Sequence, residues 1–399
     1  MSATTSVSLA AAFDGRLAAA FAEGLMTTLN NSALCLMLSV GHRTGLFDTM
    51  AGMVPATSAG IAAAAGLDER YVREWLGAMV TGGMVEYAPR AGTYVLPAEH
   101  AASLGRAAPE GNLAAFAQYI PVLGTVEDDI VACFRAGGGV PYERLKRFHE
   151  VMAEDSGQSV VPVLRSHIVP LVPGLEARLA KGIRAVDIGC GRGQALLKLA
   201  AEFPASRFTG YDLSSEAIAW GQCEAEAAGL TNVRVVVRDL SDFDYTAEAG
   251  AFDLATTFDA IYDQAKPRAV LAGIRRSLTD GSVYIAQDIK GSRHVHKNCD
   301  HPAGTLLYIV SCMHCMTVSL AQGGDGLGAM WGEETAREYF AEAGFGSVEV
   351  HRFAHDFQNN WYVCRPCPAS PAARGLPIVR RPCATRRFGM RRDDFDVGG

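Results

Sequence analysis

The feature that most constrains this chain is a short glycine-rich turn between an apolar strand pattern and a helical pattern. Residues 186–193 read VDIGCGRG, and residues 194–202 continue with a helical spacing of apolar side chains. Glycine adopts backbone angles that other residues avoid, and it lets a ligand approach the main chain closely. Gln194 stands where the dinucleotide-binding pattern Gly-x-Gly-x-x-Gly requires its third glycine. The turn therefore predicts a nucleotide-like ligand other than NAD.

An acidic residue, Asp187, precedes the first glycine of the turn by two positions. A carboxylate there suits a ligand with an ammonium group and no pyrophosphate, and S-adenosylmethionine is such a ligand. Asp212 ends the second strand pattern 25 residues later, where a carboxylate can accept hydrogen bonds from both ribose hydroxyls. Asp239 follows the third strand pattern and is placed to accept from the adenine amino group, while the Leu240 amide donates to the ring. The predicted cofactor-binding residues are Asp187, Gly189, Gly191, Gly193, Asp212, Leu213, Asp239, Leu240 and Thr257.

The fold class follows from the pattern around this turn. From residue 182 onward, strand patterns alternate with helical ones, which indicates βαβ units and a parallel sheet. Strands are expected at residues 185–188, 207–211, 233–237, 254–257, 283–288, 348–350 and 360–363. A short connection joins the last two, so an antiparallel pair at one side of the sheet is expected. We predict an α/β fold with a Rossmann-like seven-stranded sheet in residues 182–365.

The remaining segments are predicted to be helical or irregular. Residues 57–96 read as helix, turn, helix and two short strands, the order of a winged helix. We assign residues 1–109 to a helical, winged-helix dimerisation domain and residues 110–181 to a helical linker that covers the active site. The apolar segment 33–40 is expected to supply interface area. Residues 366–399 are rich in arginine and proline and are expected to be disordered.

These features carry a family resemblance. Residues 182–363 resemble a class I S-adenosylmethionine-dependent methyltransferase, with its acid-x-Gly-x-Gly-x-Gly loop matched at residues 187–193. The whole of about residues 20–364 is similar to bacterial methyltransferases with an N-terminal winged helix, whose best-understood relatives are O-methyltransferases. Residues 148–156, FHEVMAEDS, and residues 328–332, GAMWG, are similar to members of that group. The resemblance implies S-adenosylmethionine as cofactor, methyl transfer to a small-molecule acceptor and a homodimer.

The catalytic residues are less well defined than the cofactor site. Segments that leave the carboxyl ends of parallel strands line the ligand crevice, and a histidine there can take a proton near neutral pH. Each candidate also has an ordinary interpretation as a polar residue in a loop or helix, so none receives a catalytic role. The candidates are His149, Asp259, His301 and His314. The aromatic residues expected to cover the site are Tyr119, Tyr142 and Phe148.

Charge distribution disfavours nucleic acid as a partner. Residues 1–110 hold six arginines, no lysine and nine acidic residues, whereas DNA binding depends on basic side chains that neutralise phosphates. The segment Thr257-Phe258-Asp259-Ala260 also replaces the Asn-Pro-Pro-Tyr type of tetrad that nucleobase-amine methyltransferases carry after the fourth strand. Two alternatives stay open: a transcriptional regulator that responds to S-adenosylmethionine, and a protein or nucleic-acid methyltransferase.

Neither a metal site nor a membrane association is predicted. Two Cys-x-x-Cys pairs begin at Cys312 and Cys364, but their separation exceeds the spacing of ordinary zinc ribbons. The N-terminal segment lacks a basic region ahead of an apolar one, so it does not read as a secretory signal. We expect a cytoplasmic protein with reduced cysteines, no metal and no membrane-spanning segment.

Overall fold

The computed structural model describes residues 13–108 and 111–366. Of the disordered tail predicted over residues 366–399, Pro366 ends the last strand and the other residues lie outside the described part of the chain. The second cysteine of the pair that begins at Cys364 also lies outside it. Below, helices and strands are numbered in chain order.

The N-terminal elements are one long helix followed in the chain by a winged helix. Asp14 begins that helix by accepting a hydrogen bond from the Arg16 amide at 2.8 Å, and Gly45 ends it with a φ of 72°. The two short strands pair antiparallel, with Tyr87 opposite Tyr94. The elements are α1 Gly15–Thr44, α2 Leu46–Met50, α3 Ser58–Ala65, α4 Glu69–Thr81, β1 Glu86–Ala88, β2 Thr93–Val95 and α5 Ala98–Leu104.

A second group of helices connects the winged helix to the sheet. Residues 137–141 interrupt the helices of this region, between α8 and the next helical turn. Short 3-10 and π turns occupy Tyr142–Arg144 and Val161–Leu171. The α-helices are α6 Leu113–Phe116, α7 Tyr119–Gly124, α8 Glu127–Ala136, α9 Phe148–Ser159 and α10 Leu175–Lys181.

The C-terminal part is a seven-stranded sheet in the order β5-β4-β3-β6-β7-β9-β8. The first five strands in this order are parallel, and the β7–β9 and β9–β8 pairs are antiparallel. The strands are β3 Arg184–Ile188, β4 Arg207–Asp212, β5 Val233–Val237, β6 Phe252–Phe258, β7 Leu278–Ile289, β8 Phe345–His351 and β9 Asn359–Pro366. The helices among them are α11 Gln194–Glu202, α12 Ser215–Ala227, α13 Phe243–Thr246, α14 Pro267–Ser277, α15 Gly304–Val310, α16 Met316–Ala321 and α17 Gly332–Glu342.

The predicted Rossmann-like sheet is confirmed, and several strands extend beyond their predicted bounds, most of all at the beginning of β7. Parallel strands buried on both faces read as continuous apolar runs, and residues 185–188 of β3 are all buried. β7 begins at Leu278 rather than near residue 283. Leu278 pairs with Phe252, and a shift in register follows before Leu254 pairs with Val283. The sequence between Leu278 and Val283 is typical of a turn, so the prediction began the strand after it. In the structure, the shift in register accommodates these residues within the strand.

The helix α9 joins the winged helix to the sheet. His42, on α1 and 1% exposed, lies with its Nε2 2.6 Å from a carboxylate oxygen of Glu154. The Asn112 amide donates to Nδ1 of the same ring at 3.1 Å, so Nε2 carries the hydrogen that Glu154 accepts. Gln118 donates to the other Glu154 oxygen at 2.7 Å. These bonds fix α9 relative to α1, and the bond from His42 lowers the pKa of Glu154.

The exposed apolar surface of α1 begins earlier than predicted. Within segment 33–40, Leu34, Met37 and Leu38 pack against the core of the winged helix, so only part of that segment is free. A stripe at four-residue spacing runs along the first half of the helix and its N-terminal flank instead. Its members are Phe13, Leu17, Phe21, Leu25 and Leu29, which are 50–88% exposed.

One helical stretch among the described residues, Gly304–Ala321, is long and apolar enough by composition to cross a membrane. In the fold, its central residues His314 and Cys315 are buried against neighbouring elements.

Candidate functional site

The glycine-rich turn lies at the carboxyl end of β3, where it forms the wall of a cavity that we call the glycine-loop cavity. Gly189, Gly191 and Gly193 all have φ between 53° and 70°, in the left-handed region that favours glycine. A Cβ atom at Gly189 would lie 2.5 Å from the Cβ of Ala260. A Cβ at Gly191 would meet no atom within 4 Å, since this residue borders open space in the cavity. The turn thus presents bare backbone to whatever occupies the cavity.

Asp187 lies at the base of this cavity and is 2% exposed. Its carboxylate accepts a hydrogen bond from the Thr256 hydroxyl on the neighbouring strand at 2.8 Å. Burial raises the pKa of Asp187 to about 7, although the bond from Thr256 opposes the shift. A buried carboxylate without a cationic partner is costly to ionise, so the site favours a ligand that brings a positive charge.

Two further acidic side chains reach the cavity from the ends of β4 and β5. Asp212 accepts hydrogen bonds from the backbone amides of Gly191 and Ser214, each at 2.8 Å and each on a different oxygen. Asp239 accepts one from the Ser241 amide at 2.8 Å. Leu213 and Leu240 line the same cavity. The structure therefore brings together eight of the nine predicted cofactor-binding residues.

Thr257 is the exception. Its side chain is fully buried, and its hydroxyl lies 2.8 Å from the Tyr284 hydroxyl within the core. Successive strand residues point to opposite faces of a sheet, so Thr256 reaches Asp187 while Thr257 points away. Thr257 does not line the glycine-loop cavity, and the next residues along the chain, Phe258 and Asp259, line it instead.

A second cavity, of about 650 Å³, adjoins the first. We call it the aromatic cavity because four of its wall residues are Phe116, Tyr119, Phe148 and Tyr262. Its volume lies within the range of roughly 300–1,000 Å³ that small-molecule sites occupy. Residues on both cavity walls mark where the two spaces meet. They are Met152, Ser156, Asp259 and Asp263.

Asp259 has an unusual backbone conformation at this junction. Its φ is 50°, a left-handed value that is uncommon for residues other than glycine. Gln287 donates a hydrogen bond to one carboxylate oxygen at 3.0 Å, while the other oxygen is buried without a partner among the described residues. Burial, followed by nearby carboxylates, raises the pKa of Asp259 well above its usual value. Strained residues of this kind cluster at functional sites.

The three candidate histidines have different positions. His314 is 1% exposed, lines the aromatic cavity and stacks on Phe148 with ring centroids 3.6 Å apart. Neither of its ring nitrogens has a hydrogen-bond partner within the described part of the chain, and burial lowers its pKa well below the usual value. His149 stacks on Tyr142 and lines the glycine-loop cavity. His301 lines neither cavity, and its Nδ1 accepts a hydrogen bond from the Ala303 amide at 3.1 Å.

Three acidic side chains of the aromatic cavity were not predicted, namely Asp155, Asp263 and Asp356. Asp155, on α9, accepts hydrogen bonds from the Tyr119 hydroxyl at 3.0 Å and the Ser159 hydroxyl at 3.3 Å. Burial raises its pKa to about 6. Asp263 lies four residues after Asp259, in the loop between β6 and α14, at the junction of the two cavities. The sequence offered one signal, since Asp155 falls inside the segment 148–156 that carries the family resemblance.

The positions of the expected covering residues and metal ligands can also be stated. Tyr142 lines the glycine-loop cavity, and Tyr119 and Phe148 line the aromatic cavity. Across residues 13–108 and 111–366, no three His, Cys, Asp or Glu side chains gather in a way that could hold a metal ion.

Comparison with known families defines the class of protein. Residues 179–344 match the methyltransferase domain family, and residues 32–106 match the Rv2258c-like winged helix-turn-helix domain. The C-terminal part is therefore a Rossmann-like methyltransferase domain. The chain as a whole joins that domain to an N-terminal winged helix-turn-helix domain of the Rv2258c-like type. No curated protein is similar enough in sequence to match the chain.

Solved structures of similar fold include several methyltransferases. Mitomycin 7-O-methyltransferase MmcR is 17% identical, with a TM-score of 0.63 over 88% of this chain and 100% of that chain. Human N-acetylserotonin methyltransferase, solved in complex with S-adenosylmethionine, is 14% identical, with a TM-score of 0.62 over 89% and 99%. PigF, solved with S-adenosylhomocysteine, is 19% identical, with a TM-score of 0.61 over 88% and 99%. At these identities the likeness establishes the shared fold.

Proposed function

We propose that this protein transfers the methyl group of S-adenosylmethionine to a small-molecule acceptor. The observation that carries the proposal is the pair of adjoining cavities that meet at Asp259 and Asp263. One has the bare backbone and the acidic side chains that suit this cofactor, and the other has the volume and the apolar walls that suit a small organic molecule. Two relatives of similar fold were solved with this cofactor or its demethylated product.

The residues of the glycine-loop cavity fit the parts of the cofactor. Asp187 would hold the ammonium group, directly or through water, and that charge would lower the carboxylate's raised pKa. Asp212 keeps free lone pairs for the ribose hydroxyls while its existing hydrogen bonds hold Gly191 and Ser214. Asp239 and the Leu240 backbone would hold the adenine. A side chain at Gly191 would occupy the cavity, so a glycine there keeps space for the ligand.

The chemistry requires alignment more than activation. The bound cofactor supplies a methyl group on a sulfonium, which is already a good leaving group, so holding the acceptor in line accounts for much of the rate. Orientation of this kind can supply roughly 7–11 kcal/mol. When the acceptor atom loses a proton, Asp259 or His314 would take it, because both line the aromatic cavity and have unused hydrogen-bonding atoms.

A small-molecule acceptor is favoured over DNA by the surface of the winged helix. In α4, the helix that would enter the major groove, Arg70 pairs with Glu74 and Arg73 pairs with Glu69 at 3.4 Å. The two guanidinium groups are thus neutralised within the helix, which leaves little charge for phosphates. The names of MmcR and of the human relative also denote small-molecule methylation. A mobility-shift assay at low salt tests the regulator alternative, which clear duplex binding would support.

A homodimer is proposed on the basis of the exposed stripe of α1. A 30-residue helix extends about 45 Å, and its first half presents large apolar side chains to solvent at regular four-residue spacing. Contiguous apolar surface of this kind marks an interaction site. A second copy of the same stripe is the simplest complementary surface, since a two-fold axis brings identical patches together.

The experiment that tests the proposed function is calorimetric titration with S-adenosylhomocysteine. The wild type is expected to bind saturably. Asp212→Ala is expected to weaken binding by at least about tenfold, because the charge-assisted hydrogen bonds to the two ribose hydroxyls are lost. Asp280→Ala, an exposed carboxylate in the strand β7, is the matched control and should leave affinity unchanged. A folded wild type that fails to bind would contradict the proposal.

A further inference from the structure

The aromatic cavity contains a carboxylate that the cofactor does not account for. Asp155, Asp259, Asp263 and Asp356 all line this cavity. Asp356 accepts a hydrogen bond from the Trp361 indole at 2.8 Å. Asp259 and Asp263 also line the glycine-loop cavity, where the positive charges of a bound cofactor would compensate them. Asp155 lines only the aromatic cavity, so the charge that compensates it must come from elsewhere.

In the described part of the chain Asp155 forms no ion pair with a lysine, arginine or histidine, although His167 and His355 also line the cavity. Its two hydrogen-bond donors, the hydroxyls of Tyr119 and Ser159, are neutral. A neighbouring carboxylate, Asp356, adds to the effect of burial and raises the pKa of Asp155 further. The one arginine on the cavity wall, Arg106, is bound elsewhere, with its guanidinium on the Asp48 carboxylate and the His42 carbonyl. Within the described residues, Asp155 is therefore a partly buried acid without a counterion.

Three further atoms indicate that the cavity is built for a polar ligand. Both ring nitrogens of His314, which is 1% exposed on the cavity wall, have no partner among the described residues. The same holds for one carboxylate oxygen of Asp259. Buried polar atoms are nearly always hydrogen-bonded in native proteins, so unpaired atoms around a cavity of about 650 Å³ point to a ligand that completes them.

The shape and chemistry of the walls define the rest of the ligand. Phe116, Tyr119 and Phe148 present aromatic side chains to the cavity, and aromatic faces attract both flat apolar groups and cations. Tyr119 contributes twice, since its ring lines the cavity and its hydroxyl holds Asp155 in place. An aromatic amine would satisfy the walls and the acid together.

From this geometry we infer that the methyl acceptor is an aromatic molecule with a protonated amine, and that the amine binds Asp155. This inference rests on the proposed function and adds the acceptor's chemical class to it. The amine is a recognition group here, and the inference leaves open which acceptor atom receives the methyl. Neutral His314 contributes a hydrogen-bonding atom and no competing positive charge.

The test compares matched ligands on the protein saturated with S-adenosylhomocysteine. Tyramine carries the amine, 4-ethylphenol lacks it, and 3-(4-hydroxyphenyl)propionate replaces it with a carboxylate. Titration calorimetry is expected to show tyramine binding at least about tenfold tighter than 4-ethylphenol, with the propionate weakest. Asp155→Asn keeps an oxygen that accepts from Tyr119 and should abolish the preference without changing affinity for 4-ethylphenol.

Asp129→Asn is the control for net charge, because Asp129 pairs with Arg144 and lines neither cavity. It should retain the preference for the amine. Equal binding of tyramine and 4-ethylphenol, or a preference that survives in Asp155→Asn, would overturn the inference. Absence of amine binding in protein that binds S-adenosylhomocysteine would also overturn it and would leave the proposed function intact. Loss of S-adenosylhomocysteine binding by the wild type would instead contradict the proposed function.

Discussion

Two glycines of the same turn should fail in different ways when replaced by alanine. At Gly189, with a φ of 70°, a Cβ would lie 2.5 Å from the Cβ of Ala260. The left-handed backbone costs an alanine about 1–2 kcal/mol, and overpacking adds about 1–3 kcal/mol. Gly189→Ala should therefore reduce the free energy of unfolding by about 2–5 kcal/mol. At Gly191 the added methyl meets no protein atom within 4 Å, so only the backbone cost applies.

Of the two variants, Gly189→Ala should lose more stability, and Gly191→Ala should lose more affinity for S-adenosylhomocysteine. Gly191→Ala places its methyl in the glycine-loop cavity, so it should lose most of its affinity while it remains well folded. Urea unfolding gives the stability of both variants, and calorimetric titration gives the affinity. The reasoning would be refuted if Gly191→Ala bound the ligand like the wild type, or if Gly189→Ala unfolded at the wild-type urea concentration.

Three further predictions concern separate parts of the molecule. Burial raises the pKa of Asp187 from 3.8 to about 7, so the ligand-free fold loses stability as the pH rises from about 4 to about 7 and gains none back above it. Asp187→Asn should then be more stable than the wild type at pH 8, by up to roughly 4 kcal/mol, and the difference should vanish near pH 4. Urea unfolding of both proteins from pH 4 to pH 8 measures this, and a stability difference that does not change with pH would contradict the prediction. Phe21→Asp should shift the protein from dimer to monomer in sedimentation velocity, whereas a wild type that is already monomeric would rule out the proposed interface. With an acceptor found by screening, His314→Asn should lower kcat/KM by at least about tenfold, and His301→Asn should leave it unchanged. Equal effects of the two substitutions would exclude a role for His314 in the reaction.

The local parts of the site were predictable from the sequence, and the parts assembled from distant segments were not. Asp187 and the three glycines lie within one turn, and Asp212 and Asp239 end adjacent strands, so a fixed fold brings them together. The aromatic cavity draws Phe116 and Asp155 from the helical region and other walls from beyond β7. No short-range pattern encodes that meeting, because it depends on how helices pack over the sheet.

The error at Thr257 has a simpler physical origin. A sequence shows that β6 ends near the site but does not show which of two adjacent threonines points toward it. That choice depends on the pleat and register of the strand, where Thr256 pairs with Asp187. The binding roles assigned to the remaining cofactor residues stay predictions that the titrations test.

The position of α9 has a consequence for exchanging parts between related proteins. This one helix contributes Met152 and Ser156 to both cavities, and the His42–Glu154 hydrogen bond sets its place against the winged helix. Grafting a relative's N-terminal domain onto this methyltransferase domain would therefore displace α9, and with it the wall residues that the two cavities share. A working chimera must therefore keep α9 together with the residues that hydrogen-bond to it. The segment that has to be exchanged as one piece is larger than the methyltransferase domain alone.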